Sequence, residues 1–176
     1  MNTSIRNVAG VLSVVIAFLG ITLYGVSDAG AQQKAASSAD QLIGVWTLVS
    51  ITSDHGGKIT EPYGPNPKGL FIFDRSGRYA ALQFRPDIPK FASNSRDKGT
   101  PEENRAVVLG SNAHFGTYTV NEKEGYYTVH PEAATFPNWV GIDQKRSFSI
   151  SNDVLMITNP SGSTGGTSKI ILKRAR

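Results

Sequence analysis

The sequence contains three histidines, the side chains best suited to acid-base chemistry near neutral pH. His55 lies in a glycine-rich turn, where we expect it to be exposed to solvent. His114 and His130 fall within predicted β-strands. A general base there needs a partner within hydrogen-bonding distance, which a sequence does not show, so a structural role is the simpler interpretation of both. We therefore assign no catalytic residue.

Other catalytic and cofactor motifs are absent from the sequence. No two histidines have metal-binding spacing, the acidic residues are scattered and there is no cysteine, so we predict no metal site and no disulfide. No nucleophile elbow, phosphate-binding loop or dinucleotide fingerprint occurs, and we predict no cofactor. The net charge of +4 comes from cations interspersed with anions rather than from a basic stripe. We therefore expect no nucleic-acid partner.

The first 31 residues have the pattern of a signal peptide. Arg6 supplies a positive start, residues 8–24 form an apolar run without charge, and Ala29 and Ala31 are the small residues that a signal peptidase requires. We predict cleavage after Ala31, a periplasmic or secreted protein, and no stable membrane insertion after cleavage. An uncleaved anchor is the alternative, since the apolar run approaches the length of a membrane span.

Residues 32–41 are small and polar and are predicted to form a flexible linker, and residues 42–176 a single domain. That domain contains eight segments rich in β-branched and aromatic residues, most of them separated by short turns. The predicted strands are residues 42–53, 69–74, 79–84, 114–120, 125–130, 144–150, 154–158 and 168–174. One helix is predicted to begin after Thr100, which forms a capping box with Glu103, and to end near Gly110.

Short strands joined mostly by hairpins predict an all-β fold, an eight-stranded antiparallel up-and-down barrel with one short inserted helix. A β-sandwich is the competing architecture. The first strand is apolar on both faces, and strict alternation places Trp46 and Leu48 on one face and Val49 and Ile51 on the other. Gly44 leaves room for the Trp46 indole, which is either an ordinary core residue or one that closes a barrel.

Segments across the domain resemble, in order, the lipocalin-like domain family of bacteria and fungi, within the calycin group. The segments are residues 42–50, 64–70, 74–79, 85–87, 99–103, 114–118 and 136–144. The resemblance implies an eight-stranded barrel open at one end, with Trp46 near the closed end. It also implies a late-strand cation, Arg174 or Lys173, over the Trp46 ring. It implies no particular activity.

The leading hypothesis is therefore a barrel that binds a small hydrophobic or amphipathic molecule. Its predicted ligand contacts are strand aromatics together with residues that would orient polar groups: Phe71, Phe73, Tyr79, Phe84, Arg85, Tyr118, His130, Asn138 and Trp139. Residues 136–139 form either a ligand-contacting rim or a hydrophobic plug at one barrel end. For Arg85 the alternative is an internal salt bridge with Asp87 or Glu61.

Two other hypotheses remain open at this point. The first is a cyclase or isomerase that folds a small apolar substrate in a dry barrel, which requires His114, His130 or Glu132 to face the cavity. The second is a structural or partner-binding role, favoured by a closed barrel with a large exposed apolar patch. An interior packed solid with side chains would exclude storage of a ligand inside the barrel.

Overall fold

A computed structural model of the protein describes residues 37–176. The predicted signal peptide and residues 32–36 of the predicted linker lie outside the described residues. Among the residues described, none of the helices has both the length and the hydropathy of a membrane span.

The described part of the chain contains nine strands and two α-helices. The strands are β1 (Gly44–Asp54), β2 (Ile59–Thr60), β3 (Lys68–Phe73), β4 (Arg78–Phe84), β5 (Ser111–Asn121), β6 (Tyr126–Ala134), β7 (Gln144–Ser151), β8 (Val154–Asn159) and β9 (Thr167–Arg174). The helices are α1 (Ser38–Leu42) and α2 (Pro101–Gly110), with single 3₁₀ turns at Arg96–Lys98 and Pro137–Trp139. All eight predicted strands are present, and β2 is an addition.

The strands close into a barrel. From β3 to β9 each strand pairs antiparallel with the next, and β1 pairs with both β3 and β9. Trp46 lies opposite Arg174 near one end of the β1–β9 pair, and Asp54 lies opposite Thr167 at the other. Closure leaves no free edge among these eight strands, while the two-residue β2 only extends the sheet beside the end of β1. The predicted eight-stranded antiparallel barrel is confirmed.

The inserted helix α2 begins as its sequence predicts. The Thr100 side chain accepts a hydrogen bond from the Glu103 backbone N–H, and the Glu103 carboxylate accepts one from the Thr100 backbone N–H. Helix α1 was not predicted and includes residues 38–41 of the predicted flexible linker. Ser37 caps it by accepting a hydrogen bond from the Asp40 backbone N–H.

A β-bulge resets the faces of β1. The register with β9 shifts between Leu48 and Ser50, which leaves Val49 as an extra residue. Leu48 faces the interior before the bulge and Ile51 faces it afterwards, with 5% and 3% of their surfaces exposed. The prediction that Ile51 shares the face of Val49 is therefore wrong, because strict alternation makes no allowance for an inserted residue.

The interior divides into an apolar part and a polar end. The apolar side chains form one cluster of buried residues: Leu42, Trp46, Leu48, Ile51, Tyr63, Phe71, Phe73, Tyr79, Ala81, Tyr127, Val129, Leu155, Ile157, Ile170 and Leu172. Most of the buried polar side chains instead surround a cavity at the end of the barrel away from Trp46. The apolar part is packed with side chains that contact one another, as protein interiors generally are.

Trp46 lies at the closed end, and Arg174 holds it in place. The Trp46 Nε1 donates to the Leu42 carbonyl at 2.8 Å, and the Arg174 Cζ lies 4.1 Å from the centroid of the Trp46 ring. Gly44 has a φ of +134°, and a Cβ there would lie 2.9 Å from Arg174 Nη1. Both its conformation and its space therefore favour glycine.

Arg174 also fastens the last strand to the chain that precedes the first. Its Nη1 donates to the Ile43 carbonyl at 3.0 Å and its Nη2 to the Gln41 carbonyl at 2.7 Å. Its Nε donates to Asp153 Oδ1 at 3.1 Å, in the turn between β7 and β8. One side chain thus connects α1, β1, β9 and a neighbouring turn.

Candidate functional site

Arg146 is a buried cation inside the barrel. It lies on β7 with 2% of its surface exposed. Its Nη2 donates to Gln144 Oε1 at 3.0 Å, its Cζ lies 5.6 Å from the centroid of a Trp139 ring, and its Nε has no hydrogen-bond partner. None of the ion pairs within residues 37–176 includes Arg146. Its charge is therefore uncompensated by the described protein, which is costly in a buried position.

His114 lies beside this cation on β5 and is 2% exposed. Its Nδ1 lies 2.9 Å from the Tyr79 hydroxyl, and its Nε2 has no hydrogen-bond partner. Burial, and then the positive charge of Arg146, lower the pKa of His114 to about 3. Burial raises the pKa of Tyr79. Near neutral pH the imidazole and the phenol are therefore both uncharged.

A small polar cavity lies among these side chains at the polar end of the barrel. Its volume is about 20 Å³, enough for about one water molecule. Its polar lining consists of Tyr63, Gln83, Asn112, His114, Arg146, Asn159, Ser163, Thr164 and Ser168. The lining comes from the strands and from the loops before β3 and β9, so barrel closure is what brings these residues together.

An apolar groove of about 210 Å³ adjoins the cavity. The cavity and the groove share four lining residues: Tyr63, Asn112, Ser163 and Thr164. The rest of the groove includes Val108 and Leu109 at the end of α2 and Phe136. Val108 is 73% exposed and Leu109 is 53% exposed, which is unusual for such large apolar side chains. The site thus combines a polar cavity with an adjoining apolar groove. We call the exposed residues Val108 and Leu109 the apolar rim of this groove.

Tyr63 stands where the cavity meets the groove. It is 4% exposed and lies in a turn, in which the Gly64 backbone N–H donates to the Glu61 carbonyl at 3.0 Å. Burial raises the pKa of the Tyr63 hydroxyl, while hydrogen bonds with Ser163 and Asn112 act in the opposite direction. Asn112 also donates to the Ser163 hydroxyl at 3.4 Å. These contacts connect the loop before β3 to the loop before β9.

Several predicted ligand contacts face the interior. They are Phe71, Phe73, Tyr79, Tyr118 and Trp139. Phe71, Phe73 and Tyr118 belong to the apolar packing, where the ring centroids of Phe73 and Tyr118 lie 5.2 Å apart in an edge-on arrangement. Trp139 lines the cavity. Tyr79 does not line it, but the Tyr79 hydroxyl is hydrogen-bonded to His114, which does. The predicted aromatic walls are thus mainly core.

The other predicted contacts are exposed to solvent: Phe84, Arg85, His130 and Asn138. Phe84 follows an inward-facing residue of β4 and therefore points outward. Arg85 Nη2 lies 2.8 Å from Asp87 Oδ2, which is one of the salt bridges considered as its alternative. His130 Nδ1 lies 2.7 Å from Asp143 Oδ1 on the outside of β6. None of the four lines the interior, although Phe84 was predicted to form part of its wall.

The enzyme hypothesis meets one of its requirements. His114 faces the cavity, whereas His130 and Glu132 face solvent, and Glu132 is paired with Arg78. A histidine whose pKa is about 3 is a weak base at neutral pH, because efficient proton transfer needs a pKa near the working pH. The geometry therefore gives the chain a buried neutral imidazole rather than an evident general base.

An apolar patch on the outer wall keeps the partner-binding hypothesis open. Leu70, Ile72 and Phe115 are 36–46% exposed on strands β3 and β5, which flank β4, and a surface hollow of about 280 Å³ lies beside Phe115. Because they face away from the interior, they take no part in the cavity or the groove. The partner-binding role stays a prediction.

Arg146 is the functional candidate that the sequence analysis missed. The predicted strand 144–150 alternates, and one of its faces carries Gln144, Arg146, Phe148 and Ile150. Since Phe148 and Ile150 are the apolar members of that strand, their face is the one expected to point inward. The alternation was therefore sufficient to place Arg146 inside. Tyr63, Gln83 and Asn112 gave no comparable signal.

A closed antiparallel barrel, sealed at Trp46 and holding a polar cavity at its other end, defines the class of this protein as a lipocalin-like β-barrel. The chain belongs to the lipocalin-like domain family, whose model matches residues 43–174. This confirms the family resemblance seen in the sequence. A comparison with curated proteins finds no match.

Proposed function

We propose that the protein binds an amphipathic small molecule at the polar end of the barrel, with the polar head in the cavity and the apolar part in the groove. The observation that carries this proposal is that the two spaces adjoin and share four lining residues, Tyr63, Asn112, Ser163 and Thr164. Membership of the lipocalin-like family supports ligand binding in general.

The available volumes favour an amphipathic ligand over a purely hydrophobic one. Binding pockets for small molecules usually measure about 300–1,000 Å³. The cavity offers about 20 Å³ and the groove about 210 Å³. A hydrophobic molecule in the centre of the barrel would have to displace core side chains such as Phe71 and Phe73, which are 1% and 2% exposed. Most of the ligand therefore lies in the groove.

The apolar rim supplies the binding energy in this arrangement. Covering a large aliphatic side chain is worth about 1.5–3 kcal/mol when the burial is complete. Val108 and Leu109 are largely exposed and lie next to each other on the groove. A ligand that covers them removes apolar surface from water on both sides of the contact.

We test the proposal with N-phenyl-1-naphthylamine, an uncharged probe that fluoresces in apolar surroundings. Wild-type protein is expected to bind it, and the double variant Val108→Ser, Leu109→Ser is expected to bind it about tenfold more weakly, because the rim loses its apolar surface. The control is Ile142→Ser, since Ile142 is 56% exposed and lines neither space. Equal affinities for the rim variant and the control would contradict the proposal.

We also propose that the protein is exported, from the pattern of residues 1–31. Expression of the full chain in a Gram-negative host is expected to place the protein in the periplasmic fraction with Gln32 at its amino end. Mass spectrometry of the intact protein measures this directly. Recovery of the full-length chain from the membrane fraction would indicate the uncleaved anchor instead.

A further inference from the structure

We infer that the head group bound in the polar cavity is a small monoanion of carboxylate type, and that Arg146 is its counter-ion. This inference rests on the proposed function and adds the charge of the ligand to it. It also assigns a role to the one buried cation of the described residues, which the packing of the barrel leaves without a partner of opposite charge.

The charge balance of the site favours an anion. None of the residues that line the cavity or the groove is acidic, and Arg146 lines the cavity. A guanidinium has several N–H donors; here Nη2 donates to Gln144 Oε1, and the guanidinium also interacts with the buried Tyr127 hydroxyl. The unpaired Nε is fully shielded from solvent. A carboxylate can accept two parallel hydrogen bonds from such a group, which makes it the best-matched occupant.

His114 supplies a second donor to the same cavity. Its Nδ1 lies 2.9 Å from the Tyr79 hydroxyl, and its Nε2 is buried without a partner. When the Tyr79 hydroxyl donates to Nδ1, the ring proton resides on Nε2 and is available to an acceptor in the cavity. An anion next to Arg146 selects this tautomer. The imidazole then binds the anion as a neutral donor and needs no positive charge of its own.

The size of the cavity limits the head group. A volume of about 20 Å³ accommodates about one water molecule. A carboxylate is larger than one water molecule and therefore has to widen the cavity, but it is the smallest common organic anion and needs less widening than a phosphate monoester or a sugar. In this arrangement the apolar remainder of the ligand passes Tyr63, which lines both spaces, and lies along Val108 and Leu109.

The test is the displacement of bound N-phenyl-1-naphthylamine by decanoate and by decan-1-ol at pH 7. The two competitors share a chain and differ in the charge of the head group. Hydrophobicity alone favours the alcohol, so a preference for decanoate reports a cationic contact. We expect decanoate to displace the probe from wild-type protein at about tenfold lower concentration than decan-1-ol, as a hydrogen-bonded ion pair would give.

Substitutions assign that preference to Arg146. In Arg146→Met the preference for decanoate over decan-1-ol is expected to disappear. Arg146→Lys, which keeps the charge and loses the planar fork, is expected to retain part of the preference. Arg78→Met is the control, because Arg78 is an exposed cation paired with Glu132 outside the barrel. Its preference for decanoate is expected to equal that of the wild type.

The outcomes separate this inference from the proposed function. If the probe binds at the rim but decanoate and decan-1-ol displace it equally, the inference is wrong and the proposed function stands. If neither the probe nor either competitor binds, the proposed function itself fails. An unchanged preference in Arg146→Met overturns the assignment to Arg146. Should that variant not fold, the wild-type ratio of the two competitors and the Arg146→Lys variant decide the question.

Discussion

Lowering the pH from 7 to 4 is expected to reduce the free energy of unfolding by about 3 kcal/mol through His114 alone. In the folded protein the pKa of His114 lies at about 3, whereas its ordinary value is 6.5. Below pH 6.5 the unfolded chain therefore takes up a proton that the folded protein does not accept. Stability contributed by the neutral imidazole is complete above pH 6.5 and is lost progressively as the pH falls towards 3.

Urea unfolding of wild-type protein and His114→Gln across this pH range isolates the effect. The difference in the free energy of unfolding is expected to move by about 3 kcal/mol in favour of the variant between pH 7 and pH 4, because glutamine does not titrate. His55→Gln, which removes an exposed imidazole, is expected to follow the wild-type curve. Carboxylate buffers are avoided, since they are candidate ligands. A difference that stays constant with pH would show that His114 is not a buried neutral histidine.

Replacing Arg174 with methionine is expected to lower the free energy of unfolding by about 3 kcal/mol. The variant loses the cation–π contact with Trp46, whose ring centroid lies 4.1 Å from Arg174 Cζ. It also loses the hydrogen bonds to the carbonyls of Gln41 and Ile43. The ion pair with Asp153 adds little, because that carboxylate is largely exposed. Chemical denaturation measures the loss.

Lys145→Met is the matched control for this substitution. Lys145 also places a cation over a ring, with Nζ 4.5 Å from the centroid of Tyr126, but it is exposed and no backbone carbonyl depends on it. A loss below about 1 kcal/mol is expected. Arg174→Lys is expected to fall between the two, because it keeps the charge and loses the fork. Similar losses for Arg174→Met and Lys145→Met would mean that the contacts of Arg174 with Trp46 and with the Gln41 and Ile43 carbonyls contribute nothing measurable to the free energy of unfolding.

The fold could be predicted from local signals. Alternation and turn residues located the eight strands within a few positions, because each hairpin is specified by the residues near its own turn. The capping box of Thr100 and Glu103 marked the start of α2 for the same reason. Local signals could not predict which side chains of β1 after Val49 face the interior. That depends on the bulge, and the bulge depends on how β1 pairs with β9, which is distant in the sequence.

The site was harder to predict because it is defined by which face each strand turns inward. Phe84, Arg85 and His130 belong to predicted strands or their ends, yet each points outward, and their residue types alone suggested ligand contacts. Arg146 was visible in the alternation of β7 but was not among the predicted contacts. Tyr63 comes from a loop whose position over the cavity depends on contacts with Asn112 and Ser163.

The pairing of β1 with β9 has a consequence for the order in which the barrel forms. One edge of β1 pairs with β3, which is close in the sequence, but the other edge has no neighbour until residues 167–174 reach it. Contacts across such a long sequence separation form slowly, because the chain between them must be ordered first. Until β9 arrives, the folding chain therefore has an open sheet with an unpaired β1 edge, and an unpaired edge is a template for pairing with a second chain.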